Sequence, residues 1–365
     1  MIHIASKNKI IQMKILITGG AGFVGSALAI NIKSNYPTYE VICLDNLKRK
    51  GSELNLPRLA KVGAVFIHGD IRNKEDFDAL PKVDFVIEAS AEPSVLAGLD
   101  GTPDYLINTN LVGTINCLNY TKKCEASFIF LSTSRIYPIK AIEKLNYKEQ
   151  ETRFTLTDNQ SLRGVSSKGI AEDFPLDGAR SLYGATKLAS ELMIHEYNEF
   201  YGMKTVINRC GVLTGPWQMG KIDQGVMVLW VAKHFWQQKL AYIGYGGSGR
   251  QTRDMLHVKD LYKLIDYQLH NIEKVNGEIL NVGGGVEVSA SLQELTTICQ
   301  EVTGKLIPIS QVPENRAADI PLYITDNSKV TALTGWKPEI SMKQIVQEIT
   351  DWITENEESL AYVLK

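Results

Sequence analysis

The sequence predicts an α/β fold, a doubly wound parallel sheet with a smaller, partly interleaved substrate domain towards its C-terminal end. Three observations predict it. Short apolar runs alternate with helical patterns from Lys14 to Leu131, the first run leads directly into a glycine-rich turn, and the second run ends on an aspartate.

The first strand reads at Lys14-Ile-Leu-Ile17, and Thr18-Gly-Gly-Ala-Gly-Phe-Val-Gly25 follows it. Ala27, Leu28 and Ile32 then mark one face of a helix. Further strands read at Val41-Ile-Cys-Leu44, Ala64-Val-Phe-Ile67, Phe85-Val-Ile87 and Phe128-Ile-Phe-Leu131. From Pro138 to Arg180 the rhythm breaks into a polar stretch without long periodicity, which reads as a lid-like insert. Tyr183 to Phe200 then reads as a long helix, with Leu188, Leu192, Met193 and Tyr197 on one face. The expected organisation is an N-terminal extension over 1–12, a dinucleotide-binding domain over 13–205 that carries the insert, and a substrate domain over 206–365.

Composition excludes several classes. The 365 residues are 44% hydrophobic and 22% charged, with a formal net charge of -2, so neither nucleic acid nor a membrane surface is an expected partner. No apolar run is long enough to span a bilayer. The five cysteines are scattered and form no C-x-x-C pair, and the six histidines show no ligand spacing, so no metal and no disulfide framework are expected. A start without an apolar signal core and unpaired cysteines fit a cytoplasmic protein.

Gly19-x-x-Gly22-x-x-Gly25 sits between a strand and a helix, where backbone N–H groups approach a pyrophosphate at the helix N-terminus. Phe23 and Val24 belong to the same turn. Asp45 ends the second strand, about twenty residues beyond the last glycine, where a carboxylate accepts hydrogen bonds from ribose hydroxyls. That carboxylate repels a 2′-phosphate, so the expected cofactor is NAD; Lys48, Arg49 and Lys50 temper the preference. Asp70-Ile71 is placed to approach the adenine, or else Asp70 caps the segment through Arg72 and Lys74.

Of fifteen tyrosines, only Tyr183 has a lysine four residues on, Lys187, which puts both side chains on one helix face. A free phenol with a pKa near 10 is too weak a base at neutral pH, but a nearby ammonium and the nicotinamide ring favour the phenolate. Tyr183 then takes a proton from a sugar hydroxyl, with Lys187 on the nicotinamide ribose. Leu131-Ser-Thr-Ser-Arg-Ile-Tyr137, at the end of a strand, supplies hydroxyls for the reacting oxygen.

These motifs resemble the extended short-chain dehydrogenases/reductases, the NAD-dependent epimerase/dehydratase group, from about Met13 onwards. Asn110-Leu-Val-Gly113-Thr114, Arg253-Asp254 with His257-Val-Lys-Asp260, Asn281-Val-Gly-Gly284 and Leu333-Thr-Gly-Trp336-Lys-Pro338 extend the likeness. Within the group, Asp45-Asn-Leu-Lys-Arg-Lys-Gly51, Glu149-Gln-Glu-Thr-Arg-Phe154, Asp223-Gln-Gly225 and Arg253-Asp-Met-Leu-His257 look like segments of CDP-tyvelose (CDP-paratose) 2-epimerases. The resemblance implies a Rossmann-like fold, NAD, and a catalytic Thr133, Tyr183 and Lys187. It implies cofactor contacts at Asn46, Ala89, Ser90, Asn110 and Cys210, and contacts of Arg253 and Arg316 with a nucleotide diphosphate.

The sequence also departs from the group. Glu88-Ala-Ser-Ala91 stands where His-Leu-Ala-Ala is common, and Val212 stands three residues after Arg209 where a polar residue is usual. Ser134 and Arg135 replace the Asp-Glu pair that dehydratases carry after the threonine. The expected activity is therefore epimerisation of a nucleotide-linked (deoxy)hexose at C2 through a transient keto-sugar, with CDP-hexose favoured. A 4-epimerase is the alternative, and a non-catalytic dinucleotide sensor the reading from another class. The resemblance further implies a homodimer or higher homo-oligomer and a place in lipopolysaccharide carbohydrate synthesis.

Overall fold

A computed structural model describes residues 12–99, 101–219 and 225–365. Residues 1–11 of the expected extension, and Asp223 and Gln224 of the Asp223-Gln-Gly225 segment, lie outside the described residues.

Seven parallel strands form the central sheet. Five come from the N-terminal part: β1 (Lys14–Thr18), β2 (Glu40–Asp45), β3 (Val65–His68), β4 (Phe85–Glu88) and β5 (Ser127–Thr133). The strands Thr205–Cys210 and Glu278–Val282 extend it beyond β5. In space the order is Glu278–Val282, Thr205–Cys210, β5, β4, β1, β2, β3. The strand order reverses between β1 and β4, which opens a crevice at the carboxyl ends of these strands.

Both faces of this sheet are covered, which is why its strands read as continuous apolar runs. Ile15, Ile17, Ile87 and Ile129 pack under helix α1 (Phe23–Asn35) and the Val258–His270 helix, through Leu28, Ile32, Leu261 and Ile265. Leu16, Val86, Phe128 and Phe130 face the other way, against Cys117 and Leu118 of the Gly113–Cys124 helix and Ile194 and Tyr197 of the Leu182–Tyr201 helix. The period-two alternation of side chains along each strand sorts these residues between the two layers.

A separate apolar cluster joins the helices Val226–Phe235, Leu292–Thr303 and Met342–Glu355 through Val228, Leu295 and Ile349. The 138–180 insert contains a short helix at Ile139–Ile142 and two hairpins, Tyr147–Glu149 with Phe154–Leu156 and Val165–Ser166 with Gly169–Ile170. Its own core, with Ile142, Phe154, Leu156 and Phe174, packs on Leu322 and Ile324. Arg250 to Glu149 and Thr152 to Glu294 tie it to the C-terminal part of the chain. Among the described residues, none of the insert lines the large crevice.

Candidate active site

The crevice is a cleft of about 600 Å³. Gly19, Gly22, Phe23 and Val24 form its floor at the end of β1 and the start of α1. The turn is tight: a Cβ added at Gly25 would lie 2.2 Å from the Gly19 carbonyl oxygen, so no other residue fits there. Helix α1 begins after Gly22 without a side-chain cap, leaving the partial positive charge of its N-terminus for a ligand.

Asp45, at the end of β2, lies on the same wall. Its Oδ1 accepts from the Leu47 N–H at 2.8 Å and its Oδ2 from the Ala21 N–H at 3.1 Å, which fixes the carboxylate against the glycine turn. Burial pushes its pKa up, against those N–H groups. Asn46, Asp70 and Ile71 continue the wall. Asn46 Nδ2 donates to Asp70 Oδ2 at 2.8 Å, and Arg72 donates to both Asp70 oxygens, Nε to Oδ1 at 2.9 Å and Nη2 to Oδ2 at 2.6 Å. Burial raises the Asp70 pKa, but Arg72 and Asn46 outweigh it and hold it at about 2. The Asp70 carboxylate is therefore engaged by Arg72, and that pair shapes the far end of the cleft.

The opposite end is built by β5 and the Leu182–Tyr201 helix. Ser181 caps the helix by accepting the Gly184 N–H at 3.2 Å, which sets Tyr183 in its first turn. Tyr183 is 8% exposed and lines the cleft together with Thr133, the last residue of β5. Burial pushes the phenol up to about 12; the Thr133 hydroxyl pulls it down, Cys210 pushes it up, Arg135 pulls it down and Glu92 pushes it up. Ala89, Ser90 and Cys210 line the cleft close by.

Lys187 is 2% exposed, with Nζ 4.1 Å from the centroid of the Phe130 ring. Burial lowers its pKa, and the foremost opposing charge is Glu88. Glu88 is fully buried at the end of β4, accepts from Thr114 Oγ1 at 2.8 Å, and has its pKa raised to about 7 by burial against the pull of Lys187 and Thr114. The lysine expected beside the phenol thus has its ammonium over an aromatic ring, in the field of a buried carboxylate.

Other expected site residues lie away from the cleft wall. Asn110 is fully buried; it accepts the Glu92 N–H at 2.8 Å and donates to the Glu92 carbonyl at 3.0 Å, bracing the turn that carries Ala89 and Ser90. Arg253 pairs with Asp319 at 3.0 Å and donates to the Ile320 carbonyl at 2.5 Å. Arg316 is exposed on the surface segment before Asp319. Sequence reasoning misses Arg135 as a wall of the cleft, although it stands only two residues after Thr133. It also misses the buried pair of Arg209 and Glu191, 2.8 Å apart, in which Glu191 Oε1 also takes the Ser132 hydroxyl at 2.5 Å.

A glycine-turn crevice with a carboxylate at the end of its second strand, opposite a threonine and the tyrosine of a Tyr-x-x-x-Lys helix, defines a dinucleotide-dependent enzyme that moves protons at a hydroxyl-bearing carbon. The profile of the NAD dependent epimerase/dehydratase family matches residues 15–283, and the chain belongs to that family. Its cofactor is NAD.

The chain is 33% identical over 356 residues to the CDP-paratose 2-epimerase of Salmonella typhi, covering 93% of this chain and 99% of that protein. It is 29% identical to a putative UDP-glucose 4-epimerase of Methanocaldococcus jannaschii, over 94% of this chain and 99% of that one. Among solved structures, the UDP-glucose 4-epimerase of Thermus thermophilus in complex with NAD superposes with a TM-score of 0.75 at 25% identity, over 94% of this chain and 99% of that chain.

Proposed function

We propose that this enzyme epimerises a nucleotide-linked deoxyhexose at C2, with CDP-paratose as substrate. The likeness to the CDP-paratose 2-epimerase, end to end and at 33% identity, is the observation that carries this reading. The site supports it in two ways. Thr133 and Tyr183 line the same cleft, where both hydroxyls can meet a sugar hydroxyl. Ser134 and Arg135 beside them offer no carboxyl pair to eliminate water, which speaks against a dehydratase.

Tyr183 removes the proton from the C2 hydroxyl, while Thr133 orients the same oxygen. The Gly19–Gly25 turn and Asp45 would hold NAD, which when bound would take up a hydride and give it back. Tyr183 then returns its proton as the keto-sugar is reduced on its other face, and the cleft walls keep water from the intermediate. The 138–180 insert, seated on the C-terminal part, supports that enclosure from outside the cleft. We infer a cytoplasmic location, a homodimer or higher homo-oligomer, and a role in lipopolysaccharide carbohydrate synthesis, from the same resemblance.

The test is CDP-paratose carrying deuterium at C2, followed by NMR in unlabelled water. The expected product is the C2 epimer with deuterium retained at C2. Loss of the label to solvent, or no reaction at C2 alongside interconversion of UDP-glucose and UDP-galactose, overturns the reading in favour of another mechanism or of 4-epimerisation.

A further inference from the structure

The chain turns sharply after β2. Leu47 has a left-handed backbone, φ 53°, a conformation that a leucine keeps only where its surroundings hold it. Asp45 Oδ1 holds it by accepting the Leu47 N–H at 2.8 Å, and Asn46 Oδ1 accepts the Lys48 N–H at 3.1 Å. Lys48 is exposed, yet its Nζ sits 3.4 Å from the centroid of the Tyr105 ring. The guanidinium carbon of Arg72, whose Nε and Nη2 hold Asp70, stands 4.7 Å from the same centroid. At such distances the ring quadrupole attracts both cations.

These contacts close a circuit. It runs from Tyr105 to Arg72, on to Asp70, across 2.8 Å to Asn46, along the backbone to Lys48, and back to Tyr105. Lys48 follows β2, Arg72 follows β3, and Tyr105 belongs to the short helix Asp104–Ile107 beyond β4. β1, which ends in the glycine turn, runs between β2 and β4. The contact of Lys48 with Tyr105 thus joins the two banks of the crevice, and both residues line it beside Asn46 and Asp70.

We propose that Tyr105, gripped by Lys48 and Arg72, is a clasp across the adenosine end of the cleft that slows the release of NAD. A dinucleotide lying on the glycine turn beside Asp45 leaves once the ring and Lys48 part. The clasp gives Lys48 a task other than meeting a 2′-phosphate. It also suits an enzyme that must return the hydride it has taken before its cofactor departs. The proposal rests on NAD as the cofactor and is independent of which carbon is epimerised.

The test binds NAD radiolabelled in its adenine to the purified protein, chases it with excess unlabelled NAD, and follows the label retained. Tyr105→Leu is expected to release the label about tenfold faster, as the loss of two cation–ring contacts would give. Tyr105→Phe keeps the ring for both cations and is expected to release at the parental rate. Lys48→Met is expected to release about threefold faster, and it decides by itself if Tyr105→Leu does not fold. Parental release from Tyr105→Leu, or from Lys48→Met where that variant stands alone, overturns the proposal. Release from Tyr105→Phe as fast as from Tyr105→Leu also overturns it, because the hydroxyl would then be the grip. A parent protein that takes up no label overturns the assignment of the cofactor itself, and the clasp with it.

Discussion

Glu88 illustrates how one residue ties stability to the site. It stands in register with Thr18 of β1 and with Phe130 of β5, whose ring Lys187 covers, and its Oε2 lacks a hydrogen-bond partner among the described residues. Burial raises its pKa from the ordinary carboxylate range to about 7. Between those two values the folded protein holds a proton that the unfolded chain has released, so stability falls as pH rises through that window. The isosteric Glu88→Gln cannot ionise and is expected to flatten that slope. Denaturant midpoints measured across the window check this, and parallel curves for the two proteins would refute it. Tyr183 and Lys187 are legible in the sequence because four-residue spacing on a helix is local. Asn110 and Arg253 are expected at ligands but spend their side chains on Glu92 and Asp319, since these partners come from distant segments.

At the scale of elements, the glycine turn is the part the sequence reports most completely. Strand, turn and helix are contiguous, and the close approach of Gly25 to Gly19 is local. Gly25→Val places a branched side chain against the Gly19 carbonyl, and the helix cannot give way without losing its packing through Leu28 and Ile32. The expected outcome is loss of bound NAD, by about 5- to 150-fold in affinity for a clash that costs about 1–3 kcal/mol. Mass spectrometry of the purified variant, compared with the parent, reads it directly; full retention of NAD would contradict the assigned role of the turn. The insert is the opposite case. Its strands are two or three residues long, too short for periodicity to register, and its core depends on Leu322 and Ile324 far along the chain.

Over the whole molecule, the sheet is completed by strands that the N-terminal pattern does not announce. Glu278–Val282 returns from the C-terminal part to pair in parallel with Thr205–Cys210, and the Val258–His270 helix packs beside α1. Sequence alone conveys the interleaving only as a change to shorter elements, because strand pairing between such distant segments leaves no local trace. That closure pairs Thr205–Cys210 with β5 and puts Cys210 in register with Thr133, beside the cleft that Tyr183 lines. The account depends on that phenol serving as the base. Tyr183→Phe keeps the ring and removes only the hydroxyl, so the direct measurement is its turnover of CDP-paratose with bound NAD quantified in the same sample. The account predicts a fall in kcat of about 10²–10⁴ with NAD retained; turnover equal to that of the parent enzyme would contradict it.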